Sequence, residues 1–327
     1  MRQSVARLPA DPPPTRRLLL GALAVAGLAG CAPRAEEAVL KVGSQKGGTK
    51  AMMLASGALE GAPYRVEWSE FAAAQPLLEA LGAGAVDLGG VGDAPFLFAY
   101  AGGAKIKGVQ ASRSAGGGAS TTLLVRKESA IRTPGDLAGR RIATGRGSVG
   151  HYLVLRVLER AGLAPDDVKL TFLTPGDAKA AFSTGAVDAW ATWGSYVFLA
   201  QRDDGARRLA DGRGVMSGYG FLTAGEPAIS RKRAFLEDFL RRHARAQRWV
   251  AGNVADYARV LARETGLDLE IATSTVEVTR GEPAPTDALV VAELSAVLDR
   301  FRSAGVIGPG RDLASAFDIS FNPTVAG

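Results

Sequence analysis

Cysteine and histidine are nearly missing from this chain: its 327 residues include one Cys and two His. One thiol cannot form an internal disulfide, and neither a cysteine-based zinc site nor a paired-cysteine redox centre can be assembled from it. Two histidines likewise leave no room for a His-based metal site, so no metal and no cofactor is expected. Aromatics are sparse at 7%, while 47% of residues are hydrophobic and 22% charged. That balance is the composition of a globular α/β protein, and it excludes disorder, collagen and disulfide scaffolds. Long apolar runs are lacking too: the stretch at 18–30 falls short of the roughly 20 residues that a bilayer span needs. At this length a single core is near its practical limit, and two lobes are expected.

The short apolar run reads as the core of an export signal. Thr15-Arg16-Arg17 supplies its positive flank, and Leu28-Ala29-Gly30-Cys31 resembles a bacterial lipobox, which makes Cys31 the candidate lipidation site. The paired arginines also resemble a twin-arginine signal. Residues 1–30 are therefore expected to be a removable leader and 31–38 a tether. The working chain would be held outside the cytoplasm at a membrane face by its lipid. Loss of Arg2, Arg7, Arg16, Arg17 and Asp11 with the leader lowers the formal charge from +6 to +3. An exported chain of that charge has no nucleic-acid partner to meet.

Beyond residue 38, strand and helix patterns alternate. Strands are read at 39–43, 64–69, 86–91, 106–112, 121–126, 141–144, 170–174 and 187–192. Helices are read between them, and a Gly- and Ser-rich stretch lies at 114–120. Such alternation predicts parallel sheets covered on both faces. From Lys232 the pattern turns helical, with Phe235, Phe239, Ala246 and Trp249 at turn spacing and a late helix at 287–303.

An internal echo sharpens this. Gly84-Ala85-Val86-Asp87 returns as Gly185-Ala186-Val187-Asp188, each preceded by an amphipathic helix and followed by a strand, a turn and an apolar helix. Two copies of one unit imply two similar lobes. Facing lobes bring strand ends and helix N-termini into one cleft, the usual ligand position in open sheets.

An ordered series of motifs now carries a family resemblance. It comprises Lys41-Val42-Gly43-Ser44-Gln45-Lys46-Gly47, Leu77-Leu78-Glu79-Ala80-Leu81 with Asp87, Gly92-Asp93-Ala94-Pro95, and Gly147-Ser148 with His151. It continues through 182–190 with Trp193 to Leu209-Ala210-Asp211-Gly212. Together, over about 40–305, they resemble the periplasmic sulfonate-binding proteins of ABC importers, within the wider nitrate, taurine and thiamine-precursor binding family. The resemblance implies a two-lobe periplasmic binding protein of type II, a Venus flytrap with two crossover segments near 112–121 and 219–224. One lobe would comprise 39–115 plus 222–315 and the other 116–221, with 316–327 as a tail whose Phe317, Ile319 and Phe321 alternate as a strand would. It further implies a monomer that passes a small organic anion, an aliphatic or aryl sulfonate, to an ABC permease and its ATPase. Nitrate, taurine or a thiamine-pyrimidine precursor is the alternative ligand class, and an exported enzyme on the same scaffold the rival function.

A sulfonate is ionised at every physiological pH, so its site needs fixed donors rather than a titrating acid or base. The unpaired amides of helix N-termini are such donors. Gly145-Arg146-Gly147-Ser148-Val149-Gly150 ends a strand and opens a helix, which makes Gly147, Ser148 and Val149 candidate anion contacts. Gln45 and Lys46 at the first strand's end, and Gly92 with Asp93, which open the helix after the third strand, are the others. Asp93 is read as the N-cap of its helix, or as the acceptor for a donor group on the ligand. His151 is a candidate anion contact. Trp190 and Trp193 lie across the end of the echoed strand, where one indole would cover the organic part of a ligand. Here Gly194-Ser195 replaces the Asp-Pro usual in the relatives, which implies a smaller or more polar pocket. Tyr219 is a hydroxyl donor candidate, and His243, within Arg241-Arg242-His243-Ala244-Arg245, is read as a solvated helix face.

The same glycine turn spells the dinucleotide fingerprint G-x-G-x-x-G. The next strand, however, ends in Thr174-Pro175 rather than an acidic residue, and export removes access to NAD. Ser148 and His151 have no orienting acid, so no catalytic triad is assembled.

Overall fold

The structure, a computed structural model, describes residues 38–308 and 311–326. The leader and Cys31 expected from the sequence lie outside the described residues. One sheet contains β1 (Val39–Gln45), β2 (Arg65–Phe71), β3 (Leu88–Gly92), β4 (Ile106–Ser114), β10 (Tyr219–Gly225) and β11 (Gly281–Ala284). The other contains β5 (Thr121–Val125), β6 (Arg141–Thr144), β7 (Lys169–Phe172), β8 (Ala189–Trp193) and β9 (Arg207–Asp211). Their orders are β2-β1-β3-β10-β4-β11 and β7-β6-β8-β5-β9. The expected α/β class with two lobes therefore holds. Among the described residues, no helix is long and apolar enough to cross a membrane.

The sheets are mixed rather than wholly parallel. β10 runs antiparallel to β3 and β4, and β5 antiparallel to β8 and β9. Connectivity explains this. Each of these strands arrives directly from the other sheet, entering beside the C-terminal ends of the strands it joins: Tyr219 pairs with Arg113, and Thr121 with Trp193. A strand entering there must run back against its neighbours.

The chain passes between the sheets at 115–120 and again at 212–218. The second passage is not at the expected 219–224, which forms β10 with Phe221 and Leu222 buried. The passages are tied together by backbone bonds, Ser114 N donating to Gly218 O at 2.9 Å and Gly212 N to Thr121 O at 3.0 Å. Gly118 sits at φ +92, with Gly212 O only 2.7 Å from where a Cβ would stand. No other residue fits that approach.

Helices α1 (Thr49–Ala55), α2 (Ala74–Gly82) and α3 (Asp93–Ala101) follow strands of the first sheet. α4 (Val149–Arg160), α5 (Pro175–Ser183) and α6 (Ser195–Asp203) follow strands of the second. α7 (Glu226–Arg231), α8 (Arg233–Gly252), α9 (Val254–Thr265), α10 (Leu269–Thr279) and α11 (Ala288–Ser303) form the helical second half.

The echo is physical. Gly84 and Gly185 both take positive φ, +73 and +78, after α2 and α5. Asp87 Oδ2 then accepts Lys41 N at 2.7 Å while its own amide bonds Lys41 O; Asp188 Oδ2 accepts Arg141 N at 2.9 Å while its amide bonds Arg141 O. Each Asp thus clips the start of its strand to the neighbouring strand.

Phe96, Leu97 and Tyr100 of α3, Phe221 and Phe301 form the first lobe's core, and Tyr152 and Leu155 of α4 join it. The opposite face of α4, with Leu153, Val154, Val157 and Leu158, packs in the second lobe. Each such side chain contributes about 1.5–3 kcal/mol, so α4 fastens the lobes beside the cleft.

Two local readings are corrected. Residues 319–325 form a 3-10 helix rather than a strand, with Ile319 62% exposed; only Phe317 pairs strand-fashion, with Gly108. His243 is buried, 6% exposed. It shares a helical face with Leu236, Leu240, Gln247 and Val250, whereas Arg241 and Arg245 face solvent.

Candidate functional site

A cleft of about 500 Å³ opens between the two sheets at the ends of their parallel strands. Gln45, Lys46, Gly92 and Asp93 line it from the first lobe, Ser148, Val149 and Trp193 from the second, and Tyr219 stands at the start of β10. Eight of the sequence-nominated residues therefore meet in one cavity. Gly147, His151 and Trp190 are not on its wall.

Four helices of eight or more residues begin on this cavity: α2, whose N-cap Ala73 is extended and without a side-chain cap, and α3, α4 and α6, which begin differently from one another. At α3, Gly92 is the N-cap and Asp93 the first helical residue, which corrects the expectation that Asp93 caps. Asp93 is 2% exposed. Its Oδ1 accepts the amide of Ala94 at 2.6 Å, and its Oδ2 accepts the hydroxyl of Ser217 from the second passage. Burial pushes its carboxyl above the ordinary range, and the bonds from Ser217 and Ala94 oppose this. The helix start is already occupied by a carboxylate of the chain itself, so it offers a ligand anion no positive pole.

At α4 the start is open. Ser148 is the N-cap, extended at φ −76 and ψ 170, with its Oγ accepting His151 N at 3.1 Å. Among the described residues, no acceptor pairs with the amides of Val149 and Gly150. The preceding turn is fixed from both sides. Gly147 takes φ +66 with the Phe98 ring 2.5 Å from where a Cβ would stand, and Gln75 Nε2 of the first lobe donates to Arg146 O at 2.8 Å.

His151 supports this turn rather than touching the cavity. Its ring is buried, and burial with the nearby Arg146 charge pushes it down to about 4. The neutral ring accepts Gly147 N on Nδ1 at 3.1 Å, which puts its proton on Nε2.

At α6 the N-cap is Gly194, at φ 58, without a side-chain cap. Gly194 N donates to Ser120 O at 2.9 Å. The amides of Ser195 and Tyr196, both on the cavity wall, have no partner among the described residues. Gly194-Ser195 thus leaves a second open helix start.

The two tryptophans separate by parity. Residues three apart on a strand face opposite sides. Trp190 is 1% exposed, packed with rings of Phe182 at 5.9 Å and Tyr196 at 6.0 Å. Trp193 ends β8 and faces the cavity. Tyr219 lies under the Arg113 guanidinium, 5.3 Å from the ring centre. Gln45 is held by Gly90 O at 3.1 Å, while Lys46 is exposed and forms no ion pair among the described residues.

Sequence reasoning missed the α8 wall. His243 and Gln247 both line the cavity. The signal was their spacing with Leu236 and Leu240, hidden by three surrounding arginines. Among the described residues, no group of three or more His, Cys, Asp or Glu side chains is placed to hold a metal.

This arrangement can bind a fixed anion on backbone amides beside an indole. Residues 66–252 match the family model described as NMT1/THI5 like. A protein of Escherichia coli (strain K12) named for binding aliphatic sulfonates is 35% identical over 284 residues, 85% of this chain and 86% of that one. The alkanesulfonate-binding protein from Xanthomonas axonopodis pv. citri, solved bound to MOPS, is 33% identical with a TM-score of 0.80, covering 87% of this chain and 99% of that one. A desulfurization enzyme has a TM-score of 0.66 over 88% of this chain and 99% of its own, at 16% identity, which shows shared fold alone. On these matches, and in line with the resemblance carried by its motifs, the chain belongs to the NMT1/THI5-like family.

Proposed function

We propose that this protein is an extracytoplasmic solute receptor of an ABC importer, which captures a small organic sulfonate between its lobes and passes it to a permease and its ATPase. The observation that carries this reading is the pair of open helix starts, α4 and α6, on one cavity wall beside Trp193. Their amides are neutral donors fixed in advance, so they suit an anion that never protonates. Three or four such bonds at about 1.5–3 kcal/mol each, less the ordering cost, reach the roughly −8 kcal/mol of a micromolar binder. The similarity to sulfonate-binding relatives over most of the chain supports the same ligand class. The cavity of about 500 Å³ gives room for an organic tail beyond the anion.

The protein acts as a receptor and not as an enzyme: the neutral His151 is committed to Gly147, and Ser148 to its helix cap. It works as a monomer, and Cys31 carries its lipid anchor.

A thermal-shift screen with alkane- and arylsulfonates, taurine, nitrate and pyrimidines, followed by calorimetry, tests the assignment. Sulfonates are expected to stabilise the protein and remain unchanged after prolonged incubation. Stabilisation by pyrimidines or nitrate alone, or turnover of a hit, overturns it.

A further inference from the structure

The α8 wall of the cleft carries two polar side chains that the anion does not explain. His243 and Gln247 lie one helical turn apart on one face; they are 6% and 9% exposed, and both line the cavity. Gln110 of β4 fixes the state of His243. Gln110 Nε2 donates to Leu240 O at 3.0 Å, an atom that only accepts, so Gln110 Oε1 is the atom facing His243 Nδ1 at 2.8 Å. His243 Nδ1 must therefore carry the proton, and Nε2 of the neutral ring is an acceptor. Burial pushes this imidazole down to about 3, so the Nε2 lone pair is available throughout the physiological range. No partner for Nε2 occurs among the described residues. Gln247 Oε1 is buried without a partner as well.

Neighbouring hydroxyls of α9 and α10 do not fill these acceptors. Thr275 Oγ1 donates to Ile271 O at 2.7 Å, Thr279 Oγ1 to Thr275 O at 2.7 Å, and Tyr257 OH is turned to Gly47 O at 3.4 Å. Buried acceptors left unpaired are costly. Both residues line the cavity that a ligand enters; Gln247 Oε1 is covered as it stands, and a turn of its amide brings it to meet a donor.

We infer that the α8 wall is a second recognition point within the cleft, where His243 and Gln247 take an O–H or N–H donor on the ligand's organic part. The preferred ligand is then a hydroxy- or amino-substituted alkanesulfonate rather than a plain alkane- or arylsulfonate. This rests on the anion-capture reading above and adds a polar group at a distance from the anion.

Calorimetry of the purified protein tests it, using plain, terminally hydroxylated and terminally aminated alkanesulfonates in a series of increasing chain length. At the length that spans the cavity, a hydroxyl or amine is expected to tighten binding about tenfold over the plain chain. The hydroxyl and amine arms identify which donor is read. Gln247→Met, close in shape and removing an amide that makes no hydrogen bond among the described residues, is expected to reduce that advantage while leaving the plain chain within about twofold of wild type. Plain chains that bind as tightly as substituted ones at every length overturn the inference and leave anion capture standing. So does Gln247→Met if it weakens all three kinds equally. Failure of every sulfonate to bind overturns both.

Discussion

In the first copy of the repeated unit Asp87 clips β3 to β1, and in the second Asp188 clips β8 to β6, with the same pair of backbone bonds. The helices that follow begin differently. α3 starts on Asp93, whose buried carboxylate takes the amide of Ala94, whereas α6 starts on Gly194, with φ 58 and no side chain to cap it. The repeated aspartate serves the scaffold in both lobes, and the residue at the helix start decides whether that helix can hold an anion. α3 of the first lobe fills its own positive pole. The second lobe, through α4 and α6, leaves two open.

The largest expected contrast lies within β8. Trp190→Ala removes an indole from a packed core and is expected to cost about 3–5 kcal/mol in denaturant unfolding. Trp193→Ala, at the cavity, is expected to change stability by less than about 1 kcal/mol and to weaken sulfonate binding instead. Equal destabilisation by both would remove the division of roles between the two faces.

Next is the helix start itself. Val149 is the first residue of α4, and Ser148 before it is extended, so proline is tolerated there in place of Val149. Val149→Pro deletes one amide donor and is expected to cost about 1.5–3 kcal/mol of sulfonate affinity by calorimetry, with little loss of stability. Unchanged affinity would take that amide out of the site.

The scaffold role of the echo is tested by acid. The Arg141 guanidinium beside Asp188 holds its carboxyl down at about 2, against an ordinary 3.8. A depressed value contributes stability that is complete above 3.8 and is lost as pH falls towards 2. With solvent screening, this is about 1 kcal/mol. Urea unfolding across that window is expected to show the loss in wild type and a flatter profile in Asp188→Asn.

The smallest effect is at Asp93. Its raised value means that the ionised form is disfavoured in the fold: stability is greatest below the ordinary carboxylate range and falls as pH rises through the folded value. Asp93→Asn is expected to raise the melting temperature at neutral pH, with the gap to wild type closing as pH drops. A lowered melting temperature would show that the charge itself holds Ser217 and the second passage in place.

Much of this was legible in the sequence. The alternation, the echo and the glycine turn at 145–150 placed both sheets and α4, because local patterning fixes them. What was not legible depends on pairing across the chain. Residues 219–225 are a strand because β3 and β4 flank them. Parity puts Trp190 and Trp193 on opposite faces, but only the packing of α5 and α6 reveals which face is covered. His243 was misread because its arginine neighbours outweighed its helical spacing from Leu236 and Leu240. His151 sits in the expected turn, yet its burial against Phe172 and Phe301 turns it from a ligand contact into a support.

The central claim is that the second lobe's open helix starts hold the anion while the start of α3 in the first lobe is self-occupied. A crystal structure with a bound alkanesulfonate tests it directly. The account predicts sulfonate oxygens about 3 Å from the amides of Val149 or Gly150 and of Ser195 or Tyr196, with Asp93 still bound to Ala94. A sulfonate seated on the start of α3, or outside the cavity with those four amides untouched, would contradict it.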